Sequence, residues 1–315
     1  MSAQPCAVSL ANARPPPGPL HLAIGMFDGV HLGHQAVIEA ALHSARQGGG
    51  TAAVLTFHPH PSRLFRPAAP TLLLMPPEQQ ANFLREFGVG LVIAQPFTRR
   101  FARLRAEHFL AYLKQRLPNL AAVYVGENFR FGHQRAGDVA LLVRSGREQG
   151  IAVVSVARLR HNGRPISSTR IRELLARGGI AAASRLLGYT YFCDGVVQPG
   201  RQQGRQLGFP TLNVAWDPEA KPAYGVYGVR LRTAKGGWRR GVANYGVRPT
   251  VDQQPAAPLL ETHLLGRGPA PGPRARVQVE WLEFLRPEKK FASLEALRQQ
   301  IARDCVAAEK YFKKK

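Results

Sequence analysis

Two histidines three residues apart, His31 and His34, stand in the run Gly25-Met26-Phe27-Asp28-Gly29-Val30-His31-Leu32-Gly33-His34. The run closes an apolar segment and opens a helical one, so both imidazoles are expected at a helix N-terminus. Backbone N–H groups and the helix dipole there favour an anion, and Gly33 leaves room for a ligand to approach closely. A second anion-ready helix start is expected where Ser167, Ser168 and Thr169 cap the run Ile171–Arg177, with Arg172 able to grip a phosphate bidentately. Thr211 and Asn213 lie two apart on an expected strand and offer hard oxygen ligands suited to Mg²⁺ carrying a nucleotide. They follow a glycine-rich loop, Gly200-Arg201-Gln202-Gln203-Gly204-Arg205. Glu261 and His263 form another same-face pair, and a carboxylate near a bound triphosphate can take the proton from an attacking hydroxyl. Taken singly, each motif also reads as an ordinary capped turn, a solvated helix start or the solvent face of a strand.

The elements that must position these residues change character midway. Strands are expected at Leu20–Phe27, Thr51–Phe57, Gly90–Ala94, Ala121–Gly126 and Ile151–Val156, alternating with helices that include Glu78–Phe87, Ala106–Arg116 and Asp138–Gln149. Such alternation means an α/β, doubly wound parallel sheet whose ligands sit at the carboxyl ends of the strands. Four motif-bearing loops then converge on one crevice: Gly25–His34, Thr56–Pro61, Gly126–Gly132 and Ile166–Arg172. Beyond Gly188, about six short strands separated by Gly and Pro, then a helix over Ser293–Phe312, read as a small six-stranded antiparallel β-barrel with a C-terminal helix. Leu294, Leu297, Ile301 and Tyr311 are expected to face the barrel. Two domains follow, 20–187 and 188–315, after a Pro-rich lead-in over 1–19 expected to be disordered.

The 315 residues hold 43 Lys and Arg against 20 Asp and Glu, a formal charge of +23. Polyanions would be attracted, yet the charges are scattered, with no helix-turn-helix signature, no Cys/His finger and no aromatic-and-basic single-strand platform. No nucleic-acid partner is expected, only weak electrostatic binding. The chain has neither a signal-peptide pattern nor an apolar run of about 18 residues, so a cytoplasmic protein without a membrane span is expected. Cys6, Cys193 and Cys305 are too far apart and too few for a disulfide framework or a zinc site.

From about Leu22 to about Lys310 the chain resembles the bacterial bifunctional riboflavin kinase/FAD synthetase family. The family patterns G-x-F-D-G-V-H-x-G-H, T-F-x-P-H-P, V-G-x-[DN]-F-x-F-G and I-S-S-T-x-I-R match Gly25–His34, Thr56–Pro61, Val125–Gly132 and Ile166–Arg172. In the second half G-R-x-x-G-F-P-T-x-N matches Gly204–Asn213, P-x-x-G-V-Y matches Pro222–Tyr227, and N-x-G-x-R-P-T matches Asn244–Thr250. E-x-H then matches Glu261–His263 and L-R-x-E-x-x-F matches Leu285–Phe291.

The resemblance implies a nucleotidyltransferase-like first module and a riboflavin-kinase barrel, which phosphorylate riboflavin to FMN and adenylylate FMN to FAD and pyrophosphate. It implies that His31, His34 and Arg172 stabilise the ATP triphosphate, with Gly25, Phe27, Asp28, Gly33, Ser167, Ser168 and Thr169 around the nucleotide. His60, Phe65, Asn128 and Phe131 would bind flavin. Thr211 and Asn213 would hold Mg·ATP beside Gly204 and Arg205, and Glu261 would be the base for the riboflavin 5′-hydroxyl. ATP, riboflavin and FMN are the implied partners, and a monomer or weak homo-oligomer is expected. The chain departs from the family at Met26, Pro199 and Gln79-Gln80, and carries Pro269-Ala270-Pro271-Gly272 where the family has Asp-Leu-Tyr-Gly. That last departure puts the mobile substrate loop of the kinase in question. An adenylyltransferase with a non-catalytic barrel, or a basic nucleic-acid binder, are the competing readings.

Overall fold

The computed structural model describes residues 7–199, 204, 207–247, 258–266 and 268–314. Cys6, Gly200–Gln203, Arg205 and the end of the Asn244–Thr250 motif lie outside them. The chain divides into two compact units, Met1–Ser168 and Thr169–Lys315.

In the first unit, β1 (Leu20–Ile24), β2 (Thr51–His58), β3 (Leu91–Pro96), β4 (Leu120–Gly126) and β5 (Ala152–Val156) form a parallel sheet in the order β3-β2-β1-β4-β5. The strands are short apolar runs, so the sheet is covered on both faces, as the alternation demanded. Helix α1 (Leu32–Gln47) follows β1, and its apolar positions Val37, Ile38, Ala41, Leu42 and Ala45 are all buried, in one core cluster with Ala23, Val54, Leu84 and Tyr124. A buried Leu or Ile contributes about 1.5–3 kcal/mol, which is what holds such a helix to its sheet. Helices α2 (Pro61–Phe65), α3 (Pro77–Glu86), α4 (Arg99–Ala102), α5 (Ala106–Arg116) and α6 (Val139–Gln149) complete the layers. α5 and α6 pack in the second cluster, through Phe109, Leu110, Leu113 and Leu142. A small hairpin, β6 (Arg160–His161) with β7 (Arg164–Pro165), leads to α7 (Ser168–Leu175).

The expected disordered lead-in is corrected for residues 7–19. Val8 pairs in parallel with Ile93 at the open edge of the sheet, and Leu10 and Ala13 are buried in the core. Apolar residues between the prolines supply the burial that offsets the cost of ordering the segment.

In the second unit, α8 (Ile180–Leu187) precedes a closed six-stranded barrel, β10-β11-β12-β9-β8-β13. Its strands are β8 (Phe192–Gln198), β9 (Thr211–Ala215), β10 (Gly225–Thr233), β11 (Arg239–Gly246), β12 (Leu259–Leu264) and β13 (Arg276–Pro287). Trp281 is fully buried inside, edge-on or tilted against Tyr227, Tyr245 and Trp216 at 4.6, 5.3 and 5.1 Å, and its Nε1–H donates to the Cys193 Sγ at 3.5 Å. Burial pushes the Cys193 thiol up to about 12, so it stays an inert thiol in this core.

Helix α9 (Leu294–Lys313) is capped by Ser293, whose hydroxyl accepts from the Ala296 N–H at 3.1 Å. It packs through Cys305, Ala308, Tyr311 and Phe312 on Val226 and Val242, and Arg286 of β13 grips Asp304 bidentately at 2.9 and 2.8 Å. The expectation that Leu294 faces the barrel is wrong, for it is 72% exposed. The groups that bind the helix to the barrel cluster between Asp304 and Phe312, and its first turn lies outside that contact. Because Trp281 centres the aromatic core, Trp281→Ala should cost about 3–5 kcal/mol of stability, measured by urea unfolding with far-UV circular dichroism. A loss below about 1 kcal/mol would show that the ring cluster does not hold the barrel.

Candidate active sites

The β1–α1 turn is held from several sides. Thr56 Oγ1 of β2 and Gln80 Nε2 of α3 both donate to the Met26 carbonyl, at 3.0 and 2.9 Å. The buried Asp28 carboxylate accepts from the Leu74 N–H at 2.8 Å, and Ser168 Oγ donates to the Asp28 carbonyl at 3.0 Å. Gln35 reaches back from α1 to the Val30 carbonyl at 2.8 Å. These bonds maintain left-handed backbone at Phe27 (φ 49°) and Val30 (φ 35°), a conformation that costs about 1–3 kcal/mol at each non-glycine residue.

The strained turn delivers His31 as the N-cap of α1. Its Nδ1 accepts from the His34 N–H at 3.2 Å, which places the proton of the neutral ring on Nε2. The His31 and His34 rings stack at 3.6 Å with 16° between planes, and Phe27 meets His34 edge-on at 5.4 Å. A side chain at Gly33 would come within 3.3 Å of the His31 ring, so a glycine keeps the pair uncrowded. Burial, and next the field of His31, hold the His34 imidazole well below its usual value, and its Nδ1 is buried without a hydrogen-bond partner. At neutral pH the His34 ring is therefore neutral, stacked with His31 at the N-terminus of a 16-residue helix with no acid in its first turn.

Beside this turn lies a cavity of about 260 Å³ whose walls include Met26, Thr56, Phe57, His60, Met75 and Gln80. His60 caps α2 by accepting from the Ser62 N–H at 3.1 Å, and the Ser62 hydroxyl in turn accepts from the Thr71 N–H. Phe65 is 63% exposed and stands edge-on to Phe97, which also meets Phe57 and Phe101. Asn128 is exposed on the loop after β4. Phe131 of the same loop is buried against Phe109 and Phe129, so it supports the loop from beneath. Ser167 and Ser168 belong to the first unit, while Thr169 and Arg172 continue α7 in the second.

On the barrel, register does the gathering. Asn213 lies directly opposite Glu261, and Thr211 opposite His263, so the four share the outer face of β9 and β12. Asn213 is buried and Thr211 exposed. His263 Nδ1 donates to the Pro210 carbonyl at 2.9 Å, and its ring meets Phe209 edge-on. Gly204 sits where a side chain would strike the Phe209 carbonyl and come 3.3 Å from Thr211 Oγ1, which puts the end of the glycine-rich loop beside the strand that carries the oxygen ligands. The Pro269 carbonyl accepts from Arg239 Nη1 at 2.6 Å, tying down the variant loop at that residue.

Sequence reasoning gave Gln80 only as a departure from the family and assigned it no role, although it is buried and holds the Met26 carbonyl. It also assigned no role to Asn244, which pairs opposite Glu261 on β11, or to Glu288, whose carboxylate packs on Gly246 two residues along that strand. Both stood inside quoted motifs, and that was the only signal available for them.

Comparison with known proteins agrees with this division of labour. A family model described as FAD synthetase matches residues 15–170, and one described as riboflavin kinase matches residues 187–312. The bifunctional riboflavin kinase/FMN adenylyltransferase of Escherichia coli strain K12 is 37% identical over 296 residues, covering 92% of each chain. The proteins of the same name from Bacillus subtilis and Pseudomonas fluorescens are 34% and 37% identical, over 92% and 95% of this chain and of their own. A crystal structure titled as a macrolide-efflux protein from Streptococcus pneumoniae superposes with a TM-score of 0.85 at 27% identity, covering 96% of this chain and 97% of its own. Among the described residues no helix is long and apolar enough to cross a membrane. On both family models and on relatives aligned along nearly the whole chain, this protein belongs to the bifunctional riboflavin kinase/FMN adenylyltransferase family.

Proposed function

We propose that the two halves perform successive transfers from ATP, with the phosphoryl step on the barrel and the adenylyl step at the β1–α1 turn. The chain is an enzyme of flavin cofactor biosynthesis, with riboflavin kinase and FMN adenylyltransferase activities. What supports the residue assignments is that short motifs far apart in sequence gather within a unit: Gly25–His34, Thr56–Pro61 and Gly126–Gly132 follow the carboxyl ends of β1, β2 and β4 in the first, and Asn213, Glu261 and Asn244 share one cross-strand row of the barrel in the second.

In the kinase step Glu261 takes the proton of the riboflavin 5′-hydroxyl, whose oxygen attacks the γ-phosphorus of ATP while the bond to the ADP oxygen breaks. Thr211 and Asn213 supply neutral hard oxygens, and Gly204 and Arg205 are assigned to the phosphates from their motif alone. This donor set fits Mg²⁺, which takes oxygen ligands and brings its own waters and phosphate oxygens. No group of three or more His, Cys, Asp or Glu capable of a protein-only metal cage exists among the described residues. When bound, the cation supplies charge neutralisation. Asn213 is fixed opposite Glu261 by the β9–β12 register, so base and cation ligand keep a constant spacing.

In the adenylyl step an oxygen of the FMN phosphate attacks the α-phosphorus of ATP and pyrophosphate leaves. His31 Nε2–H, the neutral His34 and the N–H groups opening α1 donate to the triphosphate, and their fixed orientation favours the charge that develops on it. Gly25, Phe27, Asp28 and Gly33 shape the turn, while Ser167, Ser168, Thr169 and Arg172 carry the second phosphate-binding motif. We assign His60, Phe65 and Asn128 to the flavin, with Phe131 acting through the loop it supports. The functional boundary is set at Gly188, with an adenylyltransferase domain over 20–187 and a kinase domain over 188–315. The protein works in the cytoplasm as a monomer or weak homo-oligomer.

Supplying riboflavin, ATP and Mg²⁺ should yield both FMN and FAD. His34→Ala should abolish FAD formation and leave FMN formation intact, and Glu261→Gln should slow FMN formation by about 10²–10⁴-fold while FAD still forms from supplied FMN. Equal loss of both activities in either variant would overturn the assignment.

His34 also makes stability depend on pH. Its folded value is depressed, so below about 6.5 the unfolded chain binds a proton that the native site refuses, and stability falls as the pH drops. Chemical unfolding between pH 6.5 and 5 should show His34→Gln losing less stability than the parent, by roughly 1 kcal/mol per pH unit. Identical slopes would mean that the ring is not held neutral.

Replacing Pro269–Gly272 by Asp-Leu-Tyr-Gly should improve riboflavin phosphorylation and leave adenylylation alone, because the prolines restrict the backbone needed for closure over substrate. Unchanged kinase constants would show the departure to be neutral.

A further inference from the structure

The row that contains Glu261 continues past it. Asn213 of β9, Glu261 of β12 and Asn244 of β11 lie directly opposite one another in successive strands, with Val226 of β10 beyond. Directly paired residues project to the same face with Cβ atoms about 4.5–5.5 Å apart, so the half-buried Asn244 amide flanks the Glu261 carboxylate on the side away from Asn213. Its other cross-strand neighbour, Val226, is apolar and buried under α9 and cannot orient an amide.

The orienting group comes from the end of β13. Glu288 presents its carboxylate to β11, packed directly on Gly246 in the space a β-carbon would fill, two residues along the same face of the strand from Asn244, whose amide holds the Glu288 carboxyl down while burial, the larger effect, raises it. Arg286, two residues earlier, attracts Glu288 and is itself held by Asp304, which also accepts from Gln300 Nε2 at 2.9 Å. A line of charged and polar groups therefore runs from α9 through Asp304, Arg286 and Glu288 to Asn244, opposite the proposed base.

We infer that Glu288 is a positioning residue for riboflavin phosphorylation: by engaging one N–H of Asn244 it fixes which edge of that amide meets Glu261, and Gly246 is required so that the Glu288 carboxylate can reach it. The inference rests on the reading of Glu261 as the base. An amide has two donors and one acceptor. Turned freely, it presents either a donor or an acceptor to a carboxylate that must hold one orientation toward the attacking hydroxyl. Displacements of about 1 Å at such a site cost up to about 100-fold in rate.

The test compares kcat and KM of the full chain for riboflavin phosphorylation in Glu288→Ala, Glu288→Gln, Asn244→Ala, Gly246→Ala and the Asn244→Ala/Glu288→Ala double variant. FAD formation from supplied FMN and the melting temperature serve as controls of folding. Glu288→Ala should lower kcat roughly 10-fold with KM for ATP changed less than about twofold. Glu288→Gln keeps an acceptor oxygen and should recover to within about threefold of the parent. Gly246→Ala should push Glu288 aside and reproduce the Glu288→Ala loss, and the double variant should be no worse than Asn244→Ala alone, because both residues act in one chain of contacts. Losses that multiply in the double variant, a Glu288→Gln as damaged as Glu288→Ala, or an unchanged kcat in Glu288→Ala would each overturn the inference. Glu261→Gln, run alongside, separates the two readings. Full kinase activity in that variant overturns the base assignment itself, whereas multiplying losses beside an inactive Glu261→Gln overturn only the role of Glu288.

Discussion

The carbonyl of Met26 accepts two side-chain hydrogen bonds, from Thr56 on β2 and Gln80 on α3, and much of the first unit follows from that convergence. It halts β1 where the chain must turn away from the sheet, and it anchors one end of a segment with two non-glycine residues in left-handed backbone. Such strain persists only where the surroundings over-determine it. Here they do so through Asp28 to Leu74, Ser168 to Asp28 and Gln35 to Val30. The return is a helix that begins on His31, with His34 stacked beneath it and held neutral. A neutral ring costs less to bury than a cation and still carries an N–H to donate.

The barrel meets its positioning problem by another route. Its interior is an aromatic cluster around Trp281, and the residues proposed for its chemistry lie outside, in a row of paired positions crossing β9, β12 and β11. A closed barrel cannot slip register without turning every inward side chain outward, so the spacing of Asn213, Glu261 and Asn244 is as fixed as the aromatic core. The bidentate Arg286–Asp304 pair ties α9 to the strand that delivers Glu288, linking the covering helix to this row.

Much of this was legible from residue order alone. Alternating apolar runs and helical spacing mark a parallel α/β sheet in the first half and a small barrel with a terminal helix in the second, and the G-x-F-D-G-V-H-x-G-H and P-T-x-N motifs point to phosphate chemistry. Local periodicity and turn chemistry suffice for such features because they are set within a few residues. The misjudged segments are those whose fate depends on distant partners. The lead-in residues Val8, Leu10 and Ala13 look disordered until the edge of β3 offers them pairing and cover. Leu294 has the right spacing for a packed face, yet the first turn of α9 lies outside the helix–barrel contact.

By itself, then, the sequence determined which residues could do chemistry, the class of each half and the family to which the chain belongs, since these reside in residue types at short spacing. Only the tertiary structure decided the order of the sheet, the stacking of His31 on His34 and the neutrality of His34, the anchoring role of Gln80, and the line from Asp304 to Asn244 beside Glu261. Those depend on burial and on pairings tens to more than a hundred residues apart, which no local pattern encodes: desolvation of His34 needs a packed turn, and the facing of Asn244 and Glu261 needs a barrel already closed in register.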